Sequence, residues 1–115
     1  MAELTPHELL DRIVDACADS AMVTAYAVRT LDLDVLSLQV YLLDGSFIEV
    51  FYNTITGKTA FALIVDAQRI YGKDNAKMGW HAHPIDDPTA HHRCKPVSFE
   101  TFLAEVETLR FASTG

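Results

Sequence analysis

A chain of 115 residues, half of them hydrophobic and 22% charged, reads as one domain spanning residues 1–115, with a single core and none of the composition of a disordered or collagen-like chain. Its net charge of −7 argues against broad attraction to nucleic acid, although the stretch from Arg69 to Lys95 is far less acidic than the rest. The apolar runs, such as Phe61 to Val65, fall short of the roughly 20 residues of a membrane helix, and the first residues do not read as a secretory signal. The expectation is therefore a cytoplasmic protein with no membrane partner.

Thr5-Pro6-His7-Glu8 combines an N-cap threonine, a proline at the first helical position and a glutamate three residues after the cap. Leu9, Leu10, Ile13, Val14 and Cys17 follow at helical spacing, which predicts an amphipathic helix over about residues 6 to 19. His7, in its first turn, belongs to the surface. From Met22 onward β-branched and aromatic residues dominate in short runs separated by polar breaks, and those runs are strands.

Leu36 to Leu43 and Ser46 to Tyr52, joined by Asp44-Gly45, form the clearest hairpin, because Asp-Gly accepts the positive φ angles of a tight turn. A second hairpin is expected around Thr56-Gly57-Lys58, leading into a strand from Thr59 to Asp66. After Pro96, Ser98 can cap a closing helix whose apolar face is Phe99, Phe102, Leu103, Val106 and Leu109, with Glu100, Glu105 and Glu107 in water. The order of elements predicts an α+β domain. Its antiparallel sheet has four to five strands, with an N-terminal and a C-terminal helix packed on one face.

Between the last clear strand and the closing helix, Trp80 to Cys94 holds four of the five histidines. Gly79, Pro84, Asp86-Asp87-Pro88 and Pro96 break this segment into a strand end and a loop, the setting in which functional residues concentrate. If Trp80 to His83 is extended, His81 and His83 point to one face, about 6–7 Å apart. Trp80 is expected to anchor the core or an edge, and Tyr52 and Tyr71 to be ordinary sheet aromatics.

Three readings follow. A metal site holding zinc or another divalent ion would draw on His81, His83, His91 and His92, with Asp86, Asp87 and Cys94 as further ligands, although the spacing matches no compact metal signature. Acid/base chemistry asks for one histidine to remove a proton, a second group to donate one, and a cation from among Arg69, Lys73, Lys77 and Arg93 to offset developing negative charge. It needs no cofactor. In the third reading the histidines, above all His91 and His92, are solvated loop residues. Cys17 and Cys94 are expected as reduced thiols, and Cys94 lacks the orienting group and oxyanion hole of a nucleophile.

The series Asp44-Gly45-Ser46-Phe47, a strand ending in Phe51, then Tyr71-Gly72-Lys73-Asp74-Asn75-Ala76 and the His81-Ala82-His83 pair resembles the TumE-type toxins of prokaryotic toxin-antitoxin modules. The likeness covers about residues 36–110 and leaves the first helix outside. The resemblance implies a small α+β toxin neutralised by an antitoxin protein encoded beside it. The expected activity is metal-independent endoribonuclease, with RNA as substrate. His81 and His83 would be the acid/base pair, and Asp74 would orient a histidine. Arg69, Lys73 and Arg93 would bind substrate phosphate. Replacing His81 and His83 with alanine is expected to abolish RNA cleavage while leaving the melting temperature nearly unchanged. The contrasting expectation is a non-enzymatic interaction module, a homodimer or a partner-binding domain, joined through an exposed strand edge.

Overall fold

The computed structural model describes residues 4–75, 79–84 and 92–111. Helix α1, Pro6–Asp19, begins as its sequence demands: the Glu8 N–H donates to Thr5 Oγ1 at 3.1 Å and the Thr5 N–H donates to Glu8 Oε1 at 2.8 Å. This reciprocal box satisfies two N–H groups that the first turn would otherwise leave unbonded. The helix buries Pro6, Leu9, Ile13 and Cys17 along one stripe.

Seven strands follow: β1 Val23–Leu31, β2 Val35–Leu42, β3 Phe47–Asn53, β4 Lys58–Val65, β5 Gln68–Asp74, β6 His81–His83 and β7 His92–Arg93. They form one antiparallel meander in chain order, so each strand pairs with its sequence neighbours. Helix α2, Phe99–Phe111, closes the described chain, with Ser98 Oγ accepting from the Thr101 N–H at 3.1 Å. Leu36, Leu38, Val40 and Leu42 of β2 alternate inward and join Ile48, Val50, Phe61 and Leu63 in a core shared with α1 and α2. None of the described helices is long and apolar enough to cross a membrane.

The α+β antiparallel architecture is the expected one, but the strands number seven, not four to five. The extra strands lie in the histidine segment, where β6 has three residues and β7 two. Elements that short show no period, and only pairing, of β6 with β5 and of β7 with β6, makes them strands. The β4–β5 hairpin turns through Asp66 (φ 51°) and Ala67 (φ 64°), a two-residue left-handed turn without the glycine that usually announces one. The Asp44-Gly45 turn is wider than expected. Gly45, at φ 87°, donates its N–H to Leu42 O at 3.1 Å, and Leu42 donates to Ser46 O at 2.9 Å. The loop therefore spans three residues, with glycine alone in the left-handed position.

Helix α2 buries Phe99, Phe102, Leu103 and Val106 as expected, while Leu109 is exposed. Glu105 and Glu107, expected in water, are half-buried and bonded. Glu105 accepts from Tyr71 Oη and Lys73 Nζ, both at 2.8 Å, and Glu107 accepts from Ser20 Oγ at 2.5 Å.

Candidate functional site

Residues directly opposite in an antiparallel ladder share a face, and successive residues along a strand alternate. The register therefore sorts the candidate residues. Phe61 opposes Lys73 and Leu63 opposes Tyr71, so Lys73 and Tyr71 point toward the helices. Ala60 opposes Asp74, Asp74 opposes His81 and His81 opposes Arg93, which sets a carboxylate, an imidazole and a guanidinium in one row on the opposite face, open in the sense that no described helix covers it. In the neighbouring row Ala62, Gly72 and His83 stand side by side. Arg69, opposite Ile64 beyond a register shift in β5, belongs to the same face.

Five of the six residues singled out as catalytic or substrate-binding thus share one face of β5, β6 and β7. Lys73 does not. Its ammonium is paired with Glu105 at 2.8 Å on the helix side, where that carboxylate also takes the Tyr71 hydroxyl. Neighbours in sequence, Lys73 and Asp74 are separated by the thickness of the sheet.

The geometry around Asp74 is specific. His83 Nε2 lies 2.9 Å from Asp74 Oδ2, a pair that is ionic when His83 is protonated. His83 sits opposite Gly72, diagonal to Asp74, and glycine at 72 puts no side chain between them. A Cβ added at Gly72 would meet Phe61 O at 3.0 Å and Arg69 Cδ at 3.4 Å, so any side chain there would press on the β4 backbone, and the Arg69 stem lies beside it. Asn75 fixes the end of β5. Its Oδ1 accepts from the Thr59 N–H at 2.7 Å and its Nδ2 donates to Gly57 O at 2.7 Å, extending the β4–β5 ladder by one side chain.

His83 is only 2% exposed, whereas His81 is half-buried and Arg69 and Arg93 are exposed. Of the two imidazoles, only that of His81 is partly open to solvent. His83 is buried and paired, so its removal is expected to cost stability, in contrast to the nearly unchanged melting temperature expected from the sequence if both histidines are catalytic. His92 is exposed and lies opposite Ala82, on the helix side. His91, Lys77, Asp86 and Asp87 lie outside the described residues. Among the described residues no group of three or more His, Cys, Asp or Glu is arranged to hold a metal ion.

Cys17 and Cys94 are free thiols. Burial pushes Cys17 up to about 11. Burial also raises Cys94, with Glu105 and Asp74 adding to the shift against an opposing Lys73, so neither thiol is primed as a thiolate nucleophile. Trp80 packs against the core, with its ring centre 6.4 Å from that of Phe61.

From the sequence, Gly72 and Asn75 enter only within the motif that carries the resemblance, with no role for either. Gly72 is an isolated glycine inside a strand, a signal of close approach that could have marked it; the bonds of Asn75 across to β4 are visible only once the strands pair. Compared with known proteins, the chain matches no family model, no curated protein and no solved structure.

Proposed function

We propose that this chain is a toxin-like, metal-independent endoribonuclease whose acid/base group is His81. The observation that supports it is the row Asp74–His81–Arg93 on the open face, flanked by the His83–Asp74 pair and by Arg69. A half-buried imidazole beside two exposed guanidinium groups suits transfer within a phosphodiester. His81 takes the proton of a ribose 2′-hydroxyl, the 2′-oxygen attacks the adjacent phosphorus, and the bond from phosphorus to the 5′-oxygen breaks. The same proton returns to the departing 5′-oxygen, leaving a 2′,3′-cyclic phosphate. Arg93, directly across from His81, and Arg69 offset the charge that builds on the phosphoryl oxygens. Asp74 and buried His83 act through position, holding the β5–β6 edge on which His81 stands.

An antitoxin protein would neutralise such an enzyme by covering this face. The test is incubation of the purified chain with RNA in the presence of a chelator, alongside His81→Ala at matched concentration. Cleavage by the parent chain leaving cyclic-phosphate ends, lost in the variant, is the expected result. Intact RNA with the parent chain, or equal cleavage by both, would sink the reading.

One feature favours a second reading, a protein-interaction module. Strand β1 is a nine-residue sheet edge on which Tyr26 and Val28 remain 44% and 40% exposed, and its one charged residue is Arg29. Long, weakly charged edges invite pairing. Two copies joined antiparallel about Ala27 would set each Tyr26 against the other's Val28, an aromatic–β-branched pair made twice. Sedimentation of the parent chain and of Val28→Lys separates the cases, since a dimer through this edge would be lost in the variant.

A further inference from the structure

Charge in this protein is divided by face. The chain carries 16 acidic residues and 9 lysines and arginines, yet the open face of the sheet is basic on balance. By register it presents Lys58, Arg69 and Arg93. Arg29 joins them, its Nη2 donating to Gln39 Oε1 at 3.0 Å on the same face. Against these four stand Glu49, opposite Gln39 and Ala62, and Asp74. The acidic excess lies elsewhere, with Asp11, Asp15 and Asp19 on α1 and Glu100 and Glu107 on α2 among its carriers.

The same face holds an aromatic group away from the histidines. Tyr41 opposes Phe47, with ring centres 5.9 Å apart. Phe51 occupies the row of Ala60, Asp74, His81 and Arg93, and Lys58 Nζ lies 5.5 Å from its ring centre. At about 4.8 Å per strand, Phe51 and His81 are roughly 14 Å apart along this row. Ala60 and the Asp74 carboxylate lie between them in this row, and Ala62 and Gly72 beside them in the next, so the path to His81 passes the Asp74 carboxylate and the Arg69 stem.

We propose that the open face is a track for single-stranded RNA, with unpaired bases stacking over Tyr41, Phe47 and Phe51, phosphates held by Arg29 and Lys58, and one phosphodiester delivered to His81. The proposal rests on the ribonuclease reading and adds to it the substrate class and its path. Aromatic side chains on a sheet take bases by their faces, which a duplex keeps stacked inside itself. A base settling on Phe51 displaces the Lys58 ammonium from the ring, and the flexible stem carries it to the adjoining phosphate. Glu49, exposed between Phe47 and Phe51 on β3, opposes the polyanion and weakens the site.

The experiment measures fluorescence anisotropy of a labelled short RNA, single-stranded or annealed to its complement, with the His81→Ala chain so that binding is read without cleavage. The single strand is expected to bind at least about tenfold tighter than the duplex, and Phe51→Ala to weaken binding about tenfold. Arg29→Glu and Lys58→Glu should each weaken it several-fold with a shallower salt dependence, and Glu49→Gln should tighten it. The two charge reversals sit at exposed positions, so they carry the test should Phe51→Ala fail to fold. Equal affinity for the duplex, or parent-like affinity in both reversals, overturns the track. If the His81-bearing chain still cleaves RNA in that event, the ribonuclease reading survives without it. Binding that follows these residues in a chain that cleaves nothing upholds the track and overturns the ribonuclease reading.

Discussion

Strand β5 carries two polar clusters, one on each side of the sheet, built from alternate residues. On the helix side Tyr71 and Lys73 converge on Glu105 of α2. Burial and the Glu105 carboxylate both raise the Tyr71 hydroxyl, so it stays protonated and donates. On the open side Asp74 meets His83, with His81 and Arg93 beside it in the row. The residue types are similar, but the surroundings differ. The first cluster is closed by a helix and spends its donors and acceptors on one another, which makes it a clamp. The second has exposed guanidinium groups and a half-buried imidazole at its rim, on the face that no described helix covers. Residue type alone does not separate a cluster closed under a helix from one left at the sheet's other face; the layer above it does.

The largest effect that can break this contrast comes from beneath the clamp. Phe102, fully buried on α2, stacks on Tyr71 with ring centres 5.5 Å apart, and Phe102→Ala should cost about 3–5 kcal/mol, read in thermal or denaturant unfolding. On the open face, His81→Ala should lower the cleavage rate by about a hundredfold or more while moving stability by less than about 0.5 kcal/mol. His83→Ala should instead cost about 2 kcal/mol, since it leaves the partly buried Asp74 carboxylate without its imidazole. Equal melting temperatures for the two histidine variants would erase the distinction between an accessible and a buried imidazole.

Glu105→Gln tests the clamp more gently. It removes the charge that Lys73 pairs with while keeping an acceptor for Tyr71, so a loss of about 1 kcal/mol with an unchanged cleavage rate is expected. A large fall in cleavage would join the two clusters into one functional unit. The smallest effect belongs to the β2–β3 turn. Burial works against Asp44, but hydrogen bonds from the Ser46 side chain and backbone and the Arg110 guanidinium together hold its carboxyl below the ordinary value. Its folded pKa being depressed, the pair contributes stability above the ordinary carboxylate range and loses it as pH falls through the folded value. Asp44→Asn should therefore cost roughly 0.5 kcal/mol near neutrality, and the difference from the parent chain should vanish in acid.

Much of this was legible without coordinates because it is local. The Thr5–Glu8 box and the Ser98 cap satisfy backbone groups within a single turn, so the residues that need the caps lie beside those that supply them. The strong strands announced themselves by alternation, as Leu36, Leu38, Val40 and Leu42 do. The common face of His81 and His83 likewise follows from the two-residue period once the segment is extended.

What the sequence did not determine is whatever depends on pairing across strands. Strands β6 and β7 are too short to carry a pattern, and the Asp66-Ala67 turn takes left-handed angles without glycine because the strands on either side impose them. That Lys73 leaves the site while Arg93, twenty residues away, enters it follows from the β5–β6–β7 register alone, where a one-residue change would exchange the two faces. The burial of His83 and the division of charge between the faces are also tertiary facts. The amino-acid sequence by itself determined the helices, the longer strands and which of their residues alternate; the ladder of interstrand hydrogen bonds and the placement of both helices on one side decided which of those alternations faces the core and which faces away from it.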